Sequence, residues 1–197
     1  KTDYVYDGTE KKLGYGITTE ETGKGLLESK GHKAYVVLEN NSQTEAGSHA
    51  VTVGEVAIYT GEDREANDLT GNYRITKEDG TIGVIATEEN FNLELSPVSY
   101  VYDGEGHSLP EGNISSNAIS GVTSYEYSTD GTTWGENPEF VTVKGEEEGY
   151  TVYVKAENPN YKNAVVRNTT VTITRRPVTV TAASKTDYVY DGTEKRL

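Results

Sequence analysis

The chain has 197 residues, a formal net charge of −14 and a pI near 4.6. Such a surface repels the phosphates of nucleic acid, and with no cysteine there is no disulfide, thiolate chemistry or Cys-based zinc site. No apolar run approaches the roughly 18–20 residues that a membrane-spanning helix needs, so no membrane insertion is expected.

The acidic surplus reads as a solvated surface, and carboxylates also raise the question of calcium. No DxDxDG-type loop with its closing Glu is present, so no metal is expected. Tyrosine dominates the aromatics, 15 against two Phe and one Trp, alongside 21 Gly. Tyr, Val, Ile and Thr suit pleated, half-buried surfaces, and Gly supplies the turns between them.

In chain order, the first element is also the last. KTDYVYDGTEKKL, residues 1–13, returns as KTDYVYDGTEKRL, residues 185–197, with Lys12 against Arg196 the one change. The Tyr-Val-Tyr-Asp-Gly core recurs at 100–104, 96 residues after Tyr4 and 88 before Tyr188. Units of this size each make one small domain, unlike the shorter units of solenoids. Tyr4 and Tyr6 flank Val5 and belong on one face of a strand, with Asp7-Gly8 turning the chain. They could form an aromatic platform for sugars, or bury their rings while the hydroxyls reach water or a carbonyl. Recurrence at the head of each unit favours the structural role.

Ala34, Val36 and Leu38 then alternate with Lys33, Tyr35 and Glu39, a half-buried strand. Residues 61–68, GEDREAND, are the only stretch that could hold a helical turn. Asn72-Tyr73 and Asn160-Tyr161 form a second landmark, following Tyr4 and Tyr100 at similar distances; their Asn side chains suit turns. Phe91, Leu93 and Leu95 alternate with polar residues just before the second Tyr-Val-Tyr copy. In SYEYSTDGTTW, Asp130-Gly131 reads as a tight hairpin turn with Trp134 at its far end. Tyr150, Val152, Val154 and Ala156 share one strand face, and Val171 and Ile173 another. Pro97 and Pro177 punctuate short, non-flexible junctions. Residues from Pro177 onward read as the first strands of another unit, with PVTVTA an edge strand preceding YVYDG. The chain is thus expected to be an excised piece whose tail lies along a β-edge of its own or a neighbouring molecule.

Several landmarks carry a resemblance. YVYDGTEK, GHKAYVVLENNSQTEAGSHAVTV and DLTGNYRITKEDGTIGV resemble the YDG-type and related Gly-rich β modules of bacterial cell-surface proteins. GVTSYEYSTDGTTWGENPEF, YTVYVKAENPNYKNA and TVTITRRPVTVTA are similar to companion bacterial immunoglobulin-like repeats. The resemblance implies tandem repetition in large, wall-attached surface proteins of Gram-positive bacteria, with adhesin or stalk roles, and it transfers no catalytic residue.

The fold expected is therefore all-β: two tandem small β-sandwich (immunoglobulin-like) modules in an elongated arrangement. Residues 1–90 form a YDG-type module, 91–176 a bacterial immunoglobulin-like module and 177–197 the first strands of the next repeat. Three histidines, His32, His49 and His107, are scattered among turns, no GxSxG elbow occurs, and neither a nucleophilic triad nor a Lys–Asn isopeptide trio can be assembled. No catalysis and no cofactor is expected. The expected role is a structural spacer of an extracellular adhesin, whose partners are neighbouring repeats of the same protein. The alternative is a module that itself binds a host or microbial glycan or protein, with Trp134 as the candidate glycan contact.

Overall fold

A computed structural model describes residues 3–145 and 147–196; Lys1, Thr2 and Leu197 of the recurring stretches, and Glu146, lie outside the described residues. The fold is all-β, 39% strand and 5% helical, and its helical residues lie in three 3-10 turns. Among the described residues no helix is long and apolar enough to cross a membrane.

Twelve strands follow one another: β1 (Asp3–Val5), β2 (Lys11–Lys12), β3 (His32–Glu39), β4 (Ser42–Gln43), β5 (Gly47–Thr60), β6 (Gly80–Ile85), β7 (Leu93–Leu95), β8 (Val98–Val101), β9 (Ile114–Ser116), β10 (Ser124–Ser128), β11 (Tyr150–Glu157) and β12 (Val165–Thr174). They form two four-stranded sheets, β1-β6-β5-β3 and β8-β12-β11-β10, and two small pairs, β2-β4 and β7-β9. The two large sheets share one plan. In each, the Tyr-Val-Tyr strand lies parallel to the sheet's last strand, Tyr4 beside Val84 and Tyr100 beside Ile173. The remaining pairs are antiparallel. β1 and β8, with Tyr4 and Tyr100 96 residues apart, thus occupy matching places.

Alternation sets the core. On β11, Val152, Val154 and Ala156 are fully buried, and Val171 and Ile173 of β12 lie beside them. Phe91, Leu93 and Leu109 pack against this face. Leu93 is held there because β7 pairs with β9, Leu93 opposite Ser116 and Leu95 opposite Ile114. The first sheet buries Val51, Ile58, Ile82 and Val84. Its Val36, Val53 and Val56 stay half-exposed. They line a groove walled by residues 15–18 and 73–78, which belong to no strand.

Two expectations hold and two change. Ala34, Val36 and Leu38 face inward and Lys33, Tyr35 and Glu39 outward as expected, and the register shift between Val36 and Leu38 is a bulge in the partner strand, where Gly54 and Glu55 of β5 face Val37 alone. Residues 61–68 hold one helical-type turn, the Asn67 amide donating to the Asp63 carbonyl, and the 3-10 segments fall at Glu28–Lys30, Thr70–Asn72 and Glu111–Asn113. Asp130-Gly131 is not a two-residue hairpin: the chain loops out from Ser128 and rejoins only where Tyr127 pairs with Gly135. The reason is side-chain competition. Asp130 accepts the amides of Thr132 and Thr133, and Ser128 Oγ accepts those of Asp130 and Gly131, which widens the turn. Finally, residues 175–196 contain no strand, so Val178, Val180 and Tyr188 pair with no edge within the molecule. An isolated extended segment has no ladder to join and cannot make one alone.

Candidate functional site: a repeated turn and a polar seam

The Tyr-Val-Tyr-Asp-Gly motif builds the same local structure three times. The first Tyr hydroxyl donates to a backbone carbonyl eight residues on: Tyr4 to Lys12 (3.2 Å), Tyr100 to Ser108 (3.2 Å) and Tyr188 to Arg196 (2.7 Å). The Asp carboxylate accepts the amide two residues on, Asp7 from Thr9 (2.8 Å), Asp103 from Glu105 (2.9 Å) and Asp191 from Thr193 (3.0 Å). A cationic or imidazole side chain four residues on closes the turn: Lys11 on Asp7, His107 on Asp103 and Lys195 on Asp191. The glycine between takes positive φ in every copy, 76°, 90° and 75° at Gly8, Gly104 and Gly192. The motif forms even in the tail, which belongs to no sheet, so its bonds are local.

These bonds bias the carboxylates. The Lys11 ammonium, then the Thr9 hydroxyl and amide, hold Asp7 far below the ordinary carboxylate range. Asp191 is lowered in the same way by Lys195 and Thr193, and Asp103 by the Glu105 amide and then His107.

The second Tyr of the motif behaves differently from copy to copy. Tyr6 is 3% exposed, Tyr102 41% and Tyr190 93%. Tyr6 is buried because it crosses to the other half of the chain. Its hydroxyl shares a hydrogen bond of 2.8 Å with Ser120 Oγ, and its ring meets Tyr161 edge-on at 5.8 Å. Tyr161 in turn stacks on Phe91 at 5.1 Å, and burial pushes its phenol up.

Beside this aromatic contact lies a polar one. Asn160 is fully buried. Its Oδ1 accepts the amide of Ala46 at 2.7 Å, while its Nδ2 donates to Glu45 and to the Ser120 carbonyl. Its own amide donates to Asn158 Oδ1 and its carbonyl accepts the amide of Thr87. Thr87 then accepts from the amide of Lys162, giving a short parallel bridge between Thr87 and Tyr161. Gly121, at φ 79°, lets Asn160 come this close: a Cβ there would sit 2.7 Å from Nδ2. The seam is therefore joined by main-chain, side-chain and ring contacts together.

No family model and no curated protein matches this chain.

The sequence-level candidates are dispersed. Trp134 lies half-buried in the loop beyond β10. His32 meets the Tyr73 hydroxyl at 2.6 Å, His49 meets Gln43, and His107 stacks on Tyr100 at 4.2 Å. None of the three faces another. Among the described residues no group of three or more His, Asp or Glu side chains could hold a metal ion. Asn160-Tyr161 was legible as a landmark, but only as a local turn; that Asn160 spans the seam was not. The partners Glu45, Ala46, Thr87 and Ser120 carry no signal of their own in sequence, since each is an ordinary loop residue.

Proposed function

We propose that this chain is a tandem of two small immunoglobulin-like β-sandwich modules, residues 1–90 and 91–176, with 177–197 opening a further repeat, and that it serves as a structural spacer in an extracellular adhesin of the Gram-positive bacterial cell wall. Its partners are neighbouring repeats of the same protein, and it carries out no catalysis. The observation that supports this reading is the seam. Asn160 reaches Glu45 and Ala46 of the other half with its side chain and Thr87 with its carbonyl, and Tyr6, from the motif that recurs along the chain, docks against Tyr161. A spacer needs junctions that resist bending, and a buried, fully satisfied polar joint supplies orientation as well as adhesion. Repetition of the motif means that the same kind of joint can be used again.

The test has two arms. Small-angle scattering of the monomer should give an extended particle whose length matches two end-to-end modules; a near-spherical particle overturns the reading. A glycan array probed with the labelled chain should be blank. Binding that disappears with Trp134→Ala would instead establish the ligand-binding alternative.

A further inference from the structure

The seat that holds residues 3–12 accepts a sequence that the chain carries twice. β1 is the edge strand of its sheet, paired with β6, Tyr4 beside Val84 and Val5 beside Ile85. The Tyr6 amide then donates to the Ile85 carbonyl at 2.9 Å, and the Tyr6 side chain enters the seam at Ser120 and Tyr161. Lys11 and Lys12 pair with Gln43 and Ser42. Residues 187–196 reproduce residues 3–12 with one change, Arg196 for Lys12. The Lys12 side chain is 68% exposed, so the seat tolerates either cation.

The second copy also has the shape of the first. The Tyr188 hydroxyl donates to the Arg196 carbonyl, Asp191 accepts from Thr193 and Lys195, and Gly192 takes φ 75° where Gly8 takes 76°. A segment that arrives already turned loses little conformational freedom on docking. Its anchoring side chain is uncommitted: Tyr190 is 93% exposed, against 3% for Tyr6.

We propose that the seat exchanges its occupant: residues 187–196 of one molecule replace residues 3–12 of a second copy, with Tyr188 beside Val84 and Tyr190 against Ser120 and Tyr161. The contacts made equal those broken, so concentration sets the balance. Residues 3–12 are tethered beside their own seat and hold an effective concentration of about 1 mM, so the unmodified chain is a monomer well below that. A second copy is the better donor because the tail leaves β12 at Thr174, about 30 Å along the strand from the seam. Asp187 would have to lie about 10 Å beyond the seam, and residues 175–186 fully extended span about 40 Å, which leaves no slack. Donor and acceptor are different surfaces, so the contact is head-to-tail and continues from copy to copy rather than closing as a symmetric dimer. The exchange uses the seam but not the spacer role, and glycan binding would leave it standing.

The experiment weakens the resident copy and keeps the tail intact. Sedimentation of the full Tyr6→Ala chain should show association at least about a hundred-fold tighter than in the unmodified chain, because the displaced strand no longer brings a buried ring. Tyr6→Ala/Tyr190→Ala should return to weak association, since neither copy then carries that ring. A peptide of residues 185–197 at about 1 mM, added to the unmodified chain, should speed hydrogen exchange at the Tyr6 amide while β6 stays protected. Where Tyr6→Ala loses its fold, this peptide arm decides by itself. A Tyr6 amide that the peptide leaves unchanged overturns the proposal. So does association that survives the double substitution, because another surface then mediates it. A folded Tyr6→Ala chain that stays monomeric also overturns it; if adding Tyr190→Ala then destabilises that chain, the tail occupies the seat of its own molecule.

Discussion

Gly8 shows how much one residue carries in the repeated turn. At φ 76° an L side chain is strained, and a Cβ would also stand 3.1 Å from Ile119 Cδ1 across the seam. Gly104 has a similar φ and open space around it. Gly8→Ala should therefore cost more than Gly104→Ala, which isolates a backbone penalty of about 1 kcal/mol. Because the Ile119 side chain is largely exposed, Ile119→Ala should bring the two costs together. Urea denaturation of the three variants and the double variant checks this.

The same turn predicts a pH response. Asp7 and Asp130 have folded pKa values depressed well below the ordinary range, Asp7 chiefly by Lys11 and Asp130 by the amides of Thr133 and Thr132. A depressed carboxylate contributes stability that is present above its unfolded pKa, about 3.9 for Asp, and that is lost as pH falls through the folded value. Carboxyl carbon NMR should therefore find both groups still ionised near pH 3, where an Asp in the unfolded chain is mostly protonated. Titration of either at the unfolded value would remove the turn from the account.

Between elements, the two large sheets share a plan but differ in cover. Val152 is fully buried beneath Phe91 and Leu93, whereas Val36 borders the open groove. Val152→Ala removes two methyl groups from a closed core and leaves a cavity, a loss of about 2–3 kcal/mol. Val36→Ala at a half-solvated position should cost under about 1 kcal/mol. Thermal unfolding of the two variants should keep that order. Equal losses would mean that the groove is closed in solution at low concentration.

The alternation that made these strands legible reports burial on one face. It reads well at Val152, Val154 and Ala156 and holds at Ala34, Val36 and Leu38, but it says nothing of the partner strand, where a bulge at Gly54 and Glu55 shifts the register. The Asp130-Gly131 turn was misjudged for a related reason. The dipeptide favours a tight hairpin, but Ser128 and Asp130 draw the neighbouring amides into their own bonds.

For the whole molecule, the seam governs whether the halves unfold together. Asn160→Ala removes a fully buried side chain and leaves the half-buried Ala46 amide without this partner, a cost of about 1–3 kcal/mol. Calorimetry should then show one transition broadening or separating into two, with the half built on β11 melting later because its core is better covered. A single, equally sharp transition at lower temperature would mean that the halves are coupled through other contacts.

The sequence by itself determined the all-β class, the spacing of the recurring turn and the faces of the best-covered strands. All three depend on interactions within a few residues, or on a period that repeats along one strand. Only the tertiary structure decided that Tyr6 is buried while Tyr102 and Tyr190 are exposed, since the turns of residues 4–12 and 188–196 carry the same motif and bonds and differ in what is packed against them. It also decided that Asn160 is a joint rather than a turn. Its partners Glu45 and Ala46 lie more than a hundred residues away, and no local pattern encodes a hydrogen bond across that distance.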